Sequence, residues 1–158
     1  MPRDLITSLE VQTVTHSTPG SGTDGYVYLG IGGREFVLDK PNDTHQPSPD
    51  GTPESFVFGE GSNVENPRDN DPRSPQLTTD DLDVFPAYLR FKPKDDQDDW
   101  RVADVQVTAT GSGEGGPRYY DYNALTGKGG LRASLRLGDK FGNVLHLSSV
   151  WDDPTQSW

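Results

Sequence analysis

Three short turns in this chain are rich in oxygen donors: SGTD at residues 21–24, KPND at 40–43 and DDQDDW at 95–100. Carboxylate and carbonyl oxygens are hard ligands, and about six to eight of them make a calcium site. None of the turns matches the twelve-residue EF-hand loop, so a calcium site here needs oxygens from separate segments. The first two turns flank one hairpin and emerge at the same end of it. The third precedes a strand that belongs to the same small fold. A chain with 25 acidic residues against 14 basic ones, net charge −11, also places acidic turns on a solvated surface. From the residues alone both readings stand.

Other chemistry is poorly supplied. His16, His45 and His146 do not share a metal-ligand spacing, and Cys is absent. No G-x-S-x-G elbow or phosphate-binding loop occurs. His146 alternates with apolar residues in VLHLSS and reads as a strand-surface residue. GIGGRE (residues 30–35) turns one strand into the next with no helix following, so it is a hairpin and not a dinucleotide site. The expectation is a chain with no catalytic residues and no enzymatic activity.

The elements that must hold these turns are strands. SLEVQTVTH, YVYLGI, REFVL, SFVF, AYLRF, VADVQVTAT, LRASLRL and VLHLSSV are short, β-branched or aromatic, and bounded by Gly, Pro, Asn or Asp. Their period of two predicts an all-β antiparallel sandwich of about eight strands. The one helical signal is LTTDDLDVF, where Thr78 and Asp81 are placed to cap a single turn that Pro86 stops. Two long loops, 40–54 and 61–81, interrupt the strands, and most of residues 61–76 read as solvated. Trp100 is expected in the core, because VADVQV continues from it. In RYYDYNA, alternation puts Tyr120 with Tyr122 in the core and leaves Tyr119 beside Asp121 on the surface.

The 158 residues predict a single domain spanning 1–158, with a flexible tail at 152–158 that ends in Trp158. A domain of this size buries about 70% of its unfolded surface. The acidity argues against nucleic-acid binding, which needs a basic surface, and against unaided binding to anionic lipid. No stretch reaches the ~20 apolar residues of a transmembrane segment. The first residues carry no signal-peptide pattern, so the expected location is cytoplasmic, or outside the cell by a route without such a signal.

The order of the motifs resembles the PLAT family. GTD at 22–24 opens YVYLGI; FVLDKPND, SFVFGEGSNV, LTTDDLDVFPAYLRF and DDWRVADVQV then follow across residues 8–110. The pattern is most similar to the C-terminal calcium- and membrane-binding domain of clostridial alpha-toxin-type phospholipases. That resemblance implies a sandwich whose loops bind Ca2+, with the ions bridging to phospholipid head groups. Carried onto this chain, it assigns backbone oxygens to Gly22 and Thr23 and a carboxylate to Asp24. Asn42 and Asp43 come from the second turn; Asp98 gives a carboxylate and Asp99 a carbonyl from the third. Gly20 stands where the toxin pattern has an acidic residue, so one calcium site is expected to be weak or absent. Asp39 matches an acidic family position and equally suits a turn cap.

The function expected is a non-catalytic, calcium-assisted module that recognises a phospholipid surface or a protein partner. The alternative is a structural sandwich in a larger assembly such as a capsid, tail or secreted particle, with calcium a staple or absent. A third option is a carbohydrate-binding sandwich using exposed aromatics on a sheet face and one structural calcium.

Overall fold

A computed structural model describes residues 4–113, 115–122 and 134–150. Ten strands and one short helix occur among them: β1 (Ile6–Thr15), β2 (Tyr26–Ile31), β3 (Arg34–Val37), β4 (Glu54–Gly59), α1 (Thr79–Val84), β5 (Tyr88–Lys92), β6 (Trp100–Gly111), β7 (Arg118–Asp121), β8 (Leu135–Leu137), β9 (Val144–His146) and β10 (Ser148–Val150). They form two antiparallel sheets. One runs β10-β7-β6-β1-β4, with β8 also paired to β6; the other runs β3-β2-β5-β9.

Alternation explains the core. Leu9 and Val11 of β1, Phe56 and Phe58 of β4, and Val105 and Val107 of β6 face inward from the larger sheet. Val27, Leu29, Phe36, Leu89 and Phe91 meet them from the smaller one. Burial of these side chains is the main stabilising term, at about 1.5–3 kcal/mol each before entropy is subtracted. Trp100 is fully buried as expected, and its indole N–H donates to Thr15 Oγ1 at 2.8 Å. The β2–β3 turn uses Gly32 and Gly33, both at positive φ (62° and 80°), the conformation a type I′ hairpin requires.

The capping signal in LTTDDLDVF is realised. Thr78 caps α1 and forms a reciprocal capping box with Asp81. Two other readings need correction. VLHLSSV is not one strand: β9 joins β5 in the smaller sheet, Leu147 N–H bonds Ala87 O, and β10 joins β7 in the larger sheet. Its alternation is continuous, but the chain crosses the sandwich edge at Leu147. Most of residues 61–76 are exposed, as expected, with a few buried exceptions. Val64, Asn70 and Pro72 are buried, and Asn70 Oδ1 accepts the Val37 N–H at 2.8 Å, covering the open edge of β3. Asp121 is buried rather than exposed, while Tyr120 is buried and Tyr122 packs against the core as alternation predicts. Of the expected strand LRASLRL only Leu135–Leu137 is described as strand; residues 131–133 and the tail lie outside the described residues.

Candidate metal centre

The three oxygen-rich turns gather at one end of the sandwich. The turn before β2 is held by glycines that permit close approach. A Cβ on Gly22 would come within 2.6 Å of the His45 carbonyl, and one on Gly25 within 2.6 Å of the Lys92 carbonyl. Larger residues would push the turn off both neighbours. Thr23, buried between these glycines, ties the segments together. Its N–H donates to His45 O at 3.0 Å. Its hydroxyl lies 2.7 and 2.8 Å from the two Asp98 oxygens and accepts the Gly25 N–H at 2.8 Å. Asp98 Oδ2 also accepts the Lys94 N–H at 2.8 Å, closing the third turn on itself.

Two clefts result, and they meet at Thr23 and Asp24. The first, about 540 Å3, is lined by Gly22, Thr23, Asp24, Gln46, Asp95 and Asp98, with Lys94 at its wall. The second, about 210 Å3, is lined by Thr23, Asp24, Asp39, Asn42, Asp43 and Thr44. Asp24, Asn42 and Asp43 are exposed, and Asp98 is half-buried. Asp98 and Asp43 therefore line different clefts, not one shared cage. Asp99 lies against Gly138, and its Oδ1 is buried without a hydrogen-bond partner. Among the described residues no three carboxylate or imidazole side chains converge closely enough to hold a metal ion. Electrostatics accounts for the spread: carboxylates repel one another, and Asp98 is already held by a hydroxyl and an amide.

The donor chemistry of the second cleft nevertheless suits a hard cation. Three carboxylates, one amide, two threonine hydroxyls and Tyr26 line it, with no cation among them. The first cleft offers three carboxylates but also Lys94.

Sequence reasoning missed the residue beneath both clefts. His45 is 1% exposed, sits in the left-handed region (φ 58°), and stacks on Phe56 with ring centroids 5.3 Å apart. It also meets Trp100 edge-on at 5.2 Å. Its Nε2 lies 3.0 Å from Leu38 O, an acceptor, which fixes the Nε2–H tautomer and leaves Nδ1 without a hydrogen-bond partner. Its N–H donates to Glu54 Oε1 at 2.6 Å. Burial pushes the imidazole down to about 4, against the opposing pull of the Leu38 carbonyl. Nothing in THQPSP marks this position, because a polar, Pro-rich loop gives no periodicity.

The fold has solved counterparts. It is similar to part of the alpha toxin from Clostridium absonum, with a TM-score of 0.54 and 18% identity over 92% of this chain and 32% of that one. It is similar to part of a Clostridium perfringens alpha-toxin from an avian strain, with a TM-score of 0.51 and 17% identity over 91% of this chain and 32% of that one. The chain thus spans about a third of each toxin's length. At this identity the likeness establishes a shared β-sandwich fold. No protein-family model matches the sequence, and no curated protein matches it.

Proposed function

We propose that this chain is a non-catalytic binding module of the PLAT type, whose acidic end takes up calcium and uses it to engage a phospholipid surface or a protein partner. One observation carries the reading. Turns some 70 residues apart in sequence fold to one end, where Asp24, Asp39, Asn42 and Asp43 line one cleft and Asp24, Asp95 and Asp98 the next. The sandwich shared with the alpha toxins supports it. Asp24, Asn42 and Asp43 would hold an ion in the second cleft; of the other donors that the family resemblance assigns, Gly22, Thr23 and Asp98 line the first cleft, and Asp99 lies against Gly138. Bound calcium supplies positive charge with positions left open for phosphate or carboxylate oxygens. The chain's own residues orient that end: Thr23 fixes Asp98, and His45 supports the loop from below.

Calorimetric titration with calcium tests the site first. The expected result is saturable binding that weakens at least tenfold in the Asp24→Asn/Asp43→Asn double variant. Unchanged affinity in that variant removes these ligands from the proposal. Co-sedimentation with liposomes of phosphatidylcholine and phosphatidylserine then tests the partner. Pelleting that chelator abolishes supports the lipid reading, and equal pelleting with chelator sinks it.

A further inference from the structure

The outer face of the β3-β2-β5-β9 sheet carries a connected ladder that meets the acidic end only at Tyr26, which also lines the second cleft. Tyr26 and Tyr28 of β2, Glu35 of β3, Tyr88 and Arg90 of β5, and His146 of β9 all point to this side by alternation and register. The Arg90 guanidinium lies 4.1 Å from the Tyr28 ring centroid. Its Nε and Nη2 donate to the two Glu35 oxygens at 2.7 and 2.9 Å. Glu35 also accepts the Tyr88 hydroxyl at 3.0 Å. The Tyr88 ring lies across Gly30, where any Cβ would overlap it, and meets His146 edge-on at 6.4 Å. Tyr26 extends the row, 6.5 Å from Tyr28 and 54% exposed. The face remains open to solvent, with Arg90 and Glu35 side chains each about a third exposed (34% and 33%).

We propose that this face is a binding platform for a neutral polysaccharide. Three properties select that chemistry. First, the planes are flat and held in advance: Tyr88 by Gly30 and Glu35, Arg90 by Glu35 and Tyr28. A ligand that lies on them therefore costs little side-chain ordering. The C–H faces of a sugar ring are apolar and weakly positive, and match the electron-rich faces of tyrosine rings. Second, the polar groups are spaced among the rings rather than around them. A guanidinium has five N–H donors; Arg90 spends two on Glu35 and also interacts with the Tyr28 side chain, which leaves donors over for hydroxyl groups. An apolar partner would strip water from these groups without replacing its hydrogen bonds, which is costly; a polyhydroxylated ligand replaces them. Third, charge complementarity favours a neutral ligand. Arg90 and Glu35 offset one another at the centre of the face, Lys92 across from Tyr26 adds a single positive charge at its end, and the chain as a whole carries −11 and repels polyanions.

The proposal is independent of the calcium reading, and one experiment separates them. The protein is run in native gels containing soluble glucomannan, xylan or hydroxyethylcellulose, with a plain gel and a polygalacturonate gel as contrasts. Retardation in at least one neutral polysaccharide is expected, at equal strength with and without chelator. Tyr26→Ala should reduce it several-fold and Tyr88→Ala abolish it. Melting curves identify any variant that is unfolded. Tyr26→Ala removes a ring that is 54% exposed and outside the core, so it keeps the test valid if Tyr88→Ala does not fold; because Tyr26 also lines the second cleft, it is run with and without chelator. No retardation in any neutral gel overturns the proposal. So does retardation confined to polygalacturonate, retardation that requires calcium, or retardation unchanged in a folded Tyr26→Ala variant.

Discussion

The acidic end and the bulged part of β6 hold ionisable groups under opposite conditions. At the acidic end the carboxylates of Asp24 and Asp43 face solvent, and the buried ionisable group is an imidazole, His45. In β6 an extra residue, Ala103, shifts the alternation between the pairs Thr15–Val102 and Val14–Asp104. Beyond it Asp104 and Gln106 are buried on the face turned away from Val105 and Val107, and Asp121 of β7 joins them across from Gln106. Burial pushes the Asp104 carboxyl up to about 6. The Val105 N–H and Gln106 amide oppose that rise, and the neighbouring Asp121 charge adds to it. Burial pushes His45 down to about 4. The two regions teach one rule: removal from water disfavours whichever form carries charge, so the acid rises and the base falls.

The largest expected effect is at His45. His45→Ala removes a ring packed on Phe56 and Trp100, at a cost of roughly 3 kcal/mol by analogy with large-to-small core changes. Urea unfolding at pH 7 measures it, and a loss below about 1 kcal/mol would show that the loop carries its own order.

The pH dependence sharpens the comparison. For His45 the folded value lies below the unfolded value of 6.5. The unfolded chain therefore binds the extra proton first, and stability present above pH 6.5 is lost as pH falls towards about 4. The size is roughly 3 kcal/mol, from about 1.4 kcal/mol per pH unit. For Asp104 the folded value lies above the unfolded 3.8. Its cost is absent below pH 3.8 and is reached in full as pH rises through about 6, at roughly 3 kcal/mol. Between pH 4 and 6 the two terms oppose one another. Asp104→Asn should accordingly be more stable than the parent at pH 7 and lose that advantage by pH 4. His45→Ala should lose less stability than the parent on the same acidification. Parallel pH profiles for parent and variants would break the comparison.

The smallest effect belongs to Thr23→Val. It removes the hydroxyl that joins Gly25 to Asp98, a loss of about 1 kcal/mol for one hydrogen-bond pair. Asp98 stays wet enough to recover water, so the pH profile should keep its shape while the denaturation midpoint falls slightly. A changed slope between pH 4 and 6 would couple the acidic end to His45 more tightly than the contacts indicate.

Much of the scaffold was legible in the residues. Alternation in YVYLGI and AYLRF predicts their inward faces, GIGG predicts the I′ hairpin, and Thr78 with Asp81 predicts the capped turn. Each depends on neighbours within a few positions. VLHLSSV failed because alternation reports a face and not a sheet. Asp121 failed because polar type predicts exposure unless a partner is known, and the burial of Asn70 within a mostly solvated loop was not legible because its partner, Val37, is 33 residues away in sequence. The candidate ligands were legible as residue types in acidic turns, but their division between two clefts was not.

By itself the sequence determined the strands, the tight turns and the placing of oxygen-rich loops around one hairpin, because backbone stereochemistry and side-chain period act locally. Only the tertiary structure decided that His45 lies under those loops, that Asp98 is tied to Thr23 and that four strands align a tyrosine–arginine ladder. Those depend on which surfaces exclude water together, a property of the packed chain that no short stretch of residues carries.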